Sequence, residues 1–244
     1  MKYNQTQGIV LHTNQIGEAD SMSTILTKTS GKQKFLFKGL RKSRKRSQTS
    51  TEPGSIININ YYEKDNRDYI IAREFTLEKY YPSLRSSLEH IYSMFYILEL
   101  TEKTTGYNHK EVNLYNIVFR ALDTLSSSSH PLLLLLQFQI HLMRFQGILP
   151  DLNTCSTCGE KTSGFHATIE LSIYCSNCKK DDSFFFSTHH HNLIVVAMKT
   201  VHSEINEELF DQNDLILINF RLSLILEHYH SIHLKSKEIL FEKK

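Results

Sequence analysis

Cys155-Ser156-Thr157-Cys158 and, after a gap of sixteen residues, Cys175-Ser176-Asn177-Cys178 contain all four cysteines of the chain. In each C-x-x-C knuckle a tight turn aims both sulfurs to the same side, so two knuckles at this separation offer four thiolates to one tetrahedral ion, with zinc the expected metal. Gly159 follows the first knuckle, where positive φ is wanted, and Asn177 lies inside the second turn. The competing readings are weaker. A redox pair usually presents a single C-x-x-C beside a βαβ unit, and structural disulfides need an oxidising compartment. Cys155, Cys158, Cys175 and Cys178 are therefore expected to hold one zinc per chain. Four thiolates leave no open position for water, so the role is structural rather than catalytic.

Helical periodicity surrounds this module. Before it, Leu84, Leu88, Ile91, Phe95 and Leu98 recur at alternating four and three after Pro82 and Ser83. Leu114 to Leu125 predict a second helix, ended by Ser126 to Ser129; Pro131 starts a third, which Gly147 and Pro150 stop. The Leu132–Leu136 run resembles a membrane span until Gln137, His141 and Arg144 are placed on one helical face, which makes it a buried helix. After the cysteines, Asn192 to about Leu209 and Asp214 to about His233 predict two more helices. His189-His190-His191 is read as a turn or the start of the first of these rather than as a metal patch.

Between Gln7 and Phe75 the pattern is different. Ile9–Leu11, Met22–Thr27, Phe35–Lys38, Ile56–Tyr61 and Tyr69–Phe75 are five candidate strands, and Ile57, Ile59 and Tyr61 alternate with Asn58 and Asn60 at the period of a half-buried sheet. Five short strands suggest a small closed barrel, OB-like or SH3-like.

Formal net charge is only +2, but nine Lys or Arg residues and no acid lie between Lys28 and Arg46, leaving nineteen bases against twenty-six acids elsewhere. That concentration favours an anionic polymer as partner. Lys34, Lys38, Arg41, Lys42, Arg44, Lys45 and Arg46 are the candidate DNA-binding residues. The run from Lys38 into Ser47–Thr51 has little apolar surface and reads as a mobile cationic loop, with a solvated charge run as the plainer alternative. Tyr61, Tyr62 and Tyr69 are candidates for stacking on bases, against the commoner role of a strand aromatic in the core. The N-terminus lacks the apolar stretch of a secretory signal, and a cytoplasmic, nucleoid-associated protein is expected. The chain contains no HExxH, GxxxxGK[ST] or GxSxG.

These residues together resemble the bacterial RecO family of recombination mediators. Gly8-Ile9-Val10-Leu11, Gly17-Glu18-Ala19-Asp20 and Lys38-Gly39-Leu40-Arg41-Lys42-Ser43 look like the opening of its OB domain. Tyr81-Pro82 with Ile97-Leu98-Glu99-Leu100 resembles the start of its helical domain. Gly147-Ile148-Leu149-Pro150-Asp151-Leu152 running into Cys155 is the most specific match. The chain departs from the family at Leu171–Tyr174, where a glycine usually precedes the third cysteine, and at Ser47–Gly54, which lacks the usual apolar pattern.

The resemblance implies an α+β fold: an OB-fold barrel over residues 1–80, a helical domain over 81–150 and 184–244, and an inserted zinc ribbon over 151–183. It also implies binding of single- and double-stranded DNA, strand annealing, cooperation with RecR and single-stranded DNA-binding protein to load recombinase, and no enzymatic activity. Two other classes stand beside it. One is a nucleic-acid-modifying enzyme using an unrecognised carboxylate site, for which Glu18 and Asp20 are the candidates; the other is a protein-only adaptor.

Overall fold

The computed structural model describes residues 3–43, 47–62 and 68–241. They form two compact units, Met1–Ser126 and Ser127–Lys244.

The first unit opens with five strands, β1 (Tyr3–Ile16), β2 (Asp20–Thr27), β3 (Gly31–Phe37), β4 (Ile56–Tyr62) and β5 (Ile70–Lys79). They close into a barrel of order β1-β2-β3-β5-β4, in which β1 also pairs with β4 and β3 runs parallel to β5. This is an OB-like barrel. All five expected strands are present, most of them longer than their apolar centres. β1 pairs with β4 through Tyr3–Ile9 and with β2 through Gly8–Ile16, and the register shift between Val10 and His12 bends the strand around the barrel.

The alternation read in β4 places Ile57, Ile59 and Tyr61 inside and leaves Asn58, Asn60 and Tyr62 outward. The interior is filled by Val10, Ile25, Phe35, Phe37, Leu40, Ile57, Ile59, Tyr61 and Ala72. Fully burying each large member contributes about 1.5–3 kcal/mol. Phe35 and Tyr61 meet edge to face at 5.4 Å between ring centroids, which makes Tyr61 a core residue rather than a stacking platform.

Two helices complete this unit, α1 (Leu88–Thr104) and α2 (Val112–Leu125). Ser87 caps α1 by accepting the His90 N–H at 3.3 Å. α1 packs against β1 and α2, and Tyr115 of α2 donates from its hydroxyl to the Gln7 side chain of β1 at 2.9 Å.

In the second unit α3 (Pro131–Phe145) lies against α4 (Thr188–Lys199) and α5 (Gln212–His230), and α6 (Lys235–Phe241) folds back on α5. Between α3 and α4 a small sheet of order β7-β6-β8 is made by β6 (Phe165–Ala167), β7 (Ile173–Tyr174) and β8 (Phe184–Phe186). α3 is buried along nearly its whole length, the buried helix expected, but the three polar residues expected on one face, Gln137, His141 and Arg144, differ in exposure. His141 and Arg144 are exposed, whereas Gln137 and Gln139 are buried.

Both buried amides are used. Gln139 donates to the Asn219 side chain at 2.6 Å, and Asn219 donates in turn to the carbonyls of Leu132 and Leu215. Gln137 donates to the carbonyls of Ala197 and Thr200 at 3.2 and 3.0 Å, and its own carbonyl oxygen lies 2.7 Å from His202 Nδ1. This explains why the helix expected to run to Leu209 stops at Lys199. Carbonyls at the end of α4 find a side-chain donor, Thr200 turns extended, and the chain continues as short 3-10 turns at His202–Glu204 and Glu207–Leu209.

The Gln139–Asn219 pair supplies a stability test. Asn219→Ala removes the acceptor of the buried Gln139 amide, while the Leu132 and Leu215 carbonyls keep their backbone partners within the helices, and is expected to cost about 1–3 kcal/mol. Replacing Gln139 and Asn219 together with leucine is expected to cost less than the single change, because no orphaned amide remains. Urea unfolding of the three proteins measures the difference.

Candidate metal centre and nucleic-acid interface

The second unit carries the cysteine cluster. The four sulfurs lie within 4.8 Å of one another, and Cys158 Sγ and Cys175 Sγ are 3.7 Å apart. All four are free thiols.

The backbone around them explains the convergence. Cys155 N–H donates to the Glu160 carbonyl at 2.9 Å and Gly159 N–H to the Cys155 carbonyl at 3.0 Å, closing the first knuckle with Gly159 at φ 74°. Cys178 N–H donates to the Cys175 carbonyl at 3.1 Å and closes the second. Ser156 joins the two: its N–H donates to the Ile173 carbonyl at 2.7 Å, and its Oγ accepts the Ile173 N–H at 3.2 Å. β7 thus delivers Cys175 directly to the first knuckle.

Ahead of the second knuckle, Leu171 adopts φ 65° in a turn closed by its N–H on the Thr168 carbonyl, leading β6 into β7. The left-handed backbone costs a leucine about 1–2 kcal/mol.

The thiols are electrostatically unequal. Backbone N–H groups of Cys158 and Cys175 hold the Cys155 thiol down at about 6, while the sulfurs of Cys175 and Cys158 push Cys178 up to about 12. Four sulfurs this close ionise together only around a cation, so the cluster can bind a metal ion. Among the described residues it is the one such cluster. The three consecutive histidines belong to the first turn of α4 and are engaged elsewhere: His189 and His190 Nε2 lie 3.1 and 3.0 Å from the two oxygens of Asp214, and His191 Nδ1 lies 3.0 Å from the Ser163 carbonyl.

The basic run lies in the first unit. Lys34 is exposed on β3 and Lys38 is exposed just past its end; Arg44, Lys45 and Arg46 lie outside the described residues. The expectation that this stretch packs against nothing is corrected by Leu40, which is 1% exposed and sits in the barrel core. Around it Gly39 N–H donates to Asp20 Oδ1 at 2.8 Å and Arg41 N–H to the Ala19 carbonyl at 3.0 Å. The Arg41 guanidinium reaches the Gly17 carbonyl at 3.0 Å. Lys42 pairs with Glu18 at 2.7 Å, an exposed contact of small energetic weight.

The next segment is docked too. Gln48–Thr51 forms a 3-10 turn with Ser50 and Thr51 buried, and Gln48 donates back to the Arg41 carbonyl at 3.1 Å. Glu18 and Asp20, the carboxylates considered for catalysis, are thus occupied in holding the basic turn. Leu40 and Asp20 are the residues whose part the sequence reading missed. Their signal was one leucine inside a polar run and one acid at the start of a strand. Of the candidate stacking residues, Tyr62 is 40% exposed and meets Tyr3 edge-on at 5.4 Å.

An OB-like barrel with a cationic turn, followed by helices and by four clustered thiols that can bind a metal ion, defines the class of protein. The family model described as recombination protein O N terminal matches residues 1–76, and that described as recombination protein O C terminal matches residues 85–238. The chain belongs to the RecO family. Its relatives include a DNA repair protein RecO from Leptospira biflexa serovar Patoc, 26% identical over 175 residues that make up 70% of each chain. The DNA repair protein RecO of Thermoanaerobacter sp. (strain X514) is 28% identical over 183 residues, 73% of this chain and 72% of the relative. Among the described residues no helix is long and apolar enough to cross a membrane.

Proposed function

We propose that this protein is a non-enzymatic recombination mediator in DNA repair: it binds single- and double-stranded DNA, anneals complementary strands and helps load recombinase on single-stranded DNA. The observation that carries this reading is the basic turn anchored to an OB-like barrel through Leu40, in a chain that belongs to the RecO family. Cooperation with RecR and single-stranded DNA-binding protein, and a place in the cytoplasm at the nucleoid, are part of this proposal, supported by the family resemblance. The finer division into a barrel, two helical parts and an inserted ribbon, with boundaries at 80, 150 and 183, is part of the same proposal.

The metal proposed is zinc, in a structural role. A tetrahedron with metal–sulfur bonds of about 2.3 Å has sulfur–sulfur edges of about 3.8 Å, and the Cys158–Cys175 separation of 3.7 Å fits that edge. Cys155, Cys158, Cys175 and Cys178 would hold the ion, which supplies crosslinking and no reaction step.

Lys34, Lys38, Arg41, Lys42, Arg44, Lys45 and Arg46 are proposed to meet phosphates. If about three of the six residues from Lys38 onward contact a single strand, replacing all six by glutamine is expected to flatten the slope of log affinity against log salt by about 2, at roughly 0.7 per contact. The loss should be similar across sequences, because phosphate contacts carry no base information. Fluorescence anisotropy titrations at several salt concentrations measure this; an unchanged slope would assign the run to a solvated surface.

A further inference from the structure

The loop between α1 and α2 builds a second feature on the barrel unit. β5 pairs with β3 at Phe35–Ile70 and Leu36–Ile71; ahead of those pairs Tyr107 forms a parallel bridge with Lys32, and Asn108 N–H donates to the Lys32 carbonyl at 3.0 Å. This close approach depends on Gly31, at φ 71°, where an added Cβ would stand 1.8 Å from the His109 carbonyl oxygen. Lys32 is 5% exposed. Its ammonium donates to the Glu102 carbonyl at 2.5 Å and lies 4.3 Å from the Tyr107 ring centroid. A buried cation and a bridged backbone therefore fix the ring, which remains 43% exposed.

Beside the ring lies a cleft of about 360 Å³ lined by Gln33, Lys34, Asp68, Tyr69, Tyr107 and Asn108 among others. Its size is at the lower end of small-molecule sites, which run from about 300 to 1,000 Å³. The two amides are joined by one long contact, Gln33 Nε2 to Asn108 Oδ1 at 3.4 Å, and Gln33 Oε1 is buried without a partner among the described residues. Asn108 is held at φ 61°, a left-handed conformation that asparagine tolerates. The lining thus joins two aromatic rings to two amides, a carboxylate and the ammonium of Lys34, which lies 5.2 Å from the Tyr107 ring centroid.

We propose that this cleft holds one unstacked base of single-stranded DNA, with its face on Tyr107, its edge toward the amides of Gln33 and Asn108 and the carboxylate of Asp68, and a flanking phosphate toward Lys34. The proposal rests on the DNA-binding reading above and adds a base-dependent component that the basic turn lacks. Three features select this ligand. Amides offer a donor and an acceptor together, as a base edge requires. A ring stacks on any base, whatever its sequence. Asp68 disfavours a bare inorganic anion, whereas a nucleotide brings an amino or imino donor for the carboxylate as well as a phosphate for the lysine. A duplex, with its bases stacked and paired, has no free base to place in a cleft of this size.

The test compares binding of a short single strand with that of the same backbone carrying abasic sites throughout, using the full-length protein at low salt. The base-bearing strand is expected to bind about tenfold tighter, within the range for one base stacked on one aromatic side chain. Tyr107→Leu is expected to bring the ratio close to one without changing the salt slope, and Tyr107→Phe to keep it. Lys34→Gln should weaken both strands alike. Because Tyr107 is partly exposed, the leucine variant should keep the wild-type circular dichroism, which is checked alongside. Equal binding of the two strands by wild-type protein, or an undiminished ratio in Tyr107→Leu, overturns the cleft proposal and leaves the basic-turn reading standing. Failure to bind either strand overturns both.

Discussion

Protein in which Cys175 is replaced by serine is expected to lose its bound metal and, with it, the order of the β7-β6-β8 sheet, while the barrel keeps its own fold. The strands of that sheet are three, two and three residues long, too short to stand on hydrogen bonds alone. Its apolar side chains Phe165, Ala167, Ile173 and Phe186 are almost completely buried, and Phe165 packs edge-on against His191 of α4 at 5.6 Å. The proposed zinc would lock together the two turns that the backbone contacts at Ser156 bring within reach of each other. Structural zinc in small modules carries on the order of 10 kcal/mol of apparent binding energy at neutral pH, more than this sheet can replace by packing. The barrel has a separate core and is expected to keep its unfolding midpoint. Elemental analysis should find one zinc per wild-type chain, and hydrogen exchange should show protection lost from the knuckles through β8 in the variant. Metal-free wild-type protein with unchanged exchange protection would overturn the structural role.

Legibility in the sequence followed the range over which each decision is made. The knuckles are local, and their spacing alone indicated that the four sulfurs converge. β4 was legible because Ile57, Ile59 and Tyr61 obey a two-residue period with one face buried. The parallel β3–β5 contact was not, because two residue pairs separated by a long connection leave no local pattern. The end of α4 was hidden for a similar reason: the residues that permit it, Gln137 and His202, lie far from it in the chain or beyond the stop. Gln137, His141 and Arg144 were read as one face of α3, but the pairing of the neighbouring Gln139 with Asn219, eighty residues away, left no local pattern. In the basic turn the charges were legible and the anchor was not, since a single leucine among cations looks exposed until the barrel supplies its socket. The cleft at Tyr107 was invisible for the same reason, being made by a loop that follows α1 and a strand that precedes it.

Annealing of complementary strands should proceed without ATP, and neutralising the basic turn should return its rate to that of protein-free DNA. Two single strands repel as polyanions, so the slow step is bringing them together; base pairing then supplies the driving force. A cationic segment that contacts backbones without reading bases can screen both strands at once. The anchored part of the turn gives this a fixed origin: Leu40 in the core, Gly39 on Asp20 and Arg41 on the Ala19 carbonyl hold the peptide, leaving side-chain charge to be exchanged without disturbing the fold. Glutamine at Lys38, Arg41, Lys42, Arg44, Lys45 and Arg46, with Leu40 retained, is therefore expected to preserve the barrel and abolish the acceleration. High salt should imitate the substitution in wild-type protein, because released counterions no longer favour association. Cys175→Ser should retain more annealing than the glutamine variant, since the charge and its anchor lie in the other compact unit. Energy transfer between labelled complementary strands, bare or coated with single-stranded DNA-binding protein, follows the reaction directly. A wild-type rate no faster than the uncatalysed one at low salt, or a strict requirement for nucleotide hydrolysis, would remove this mechanism and with it the reading of the turn as the annealing element.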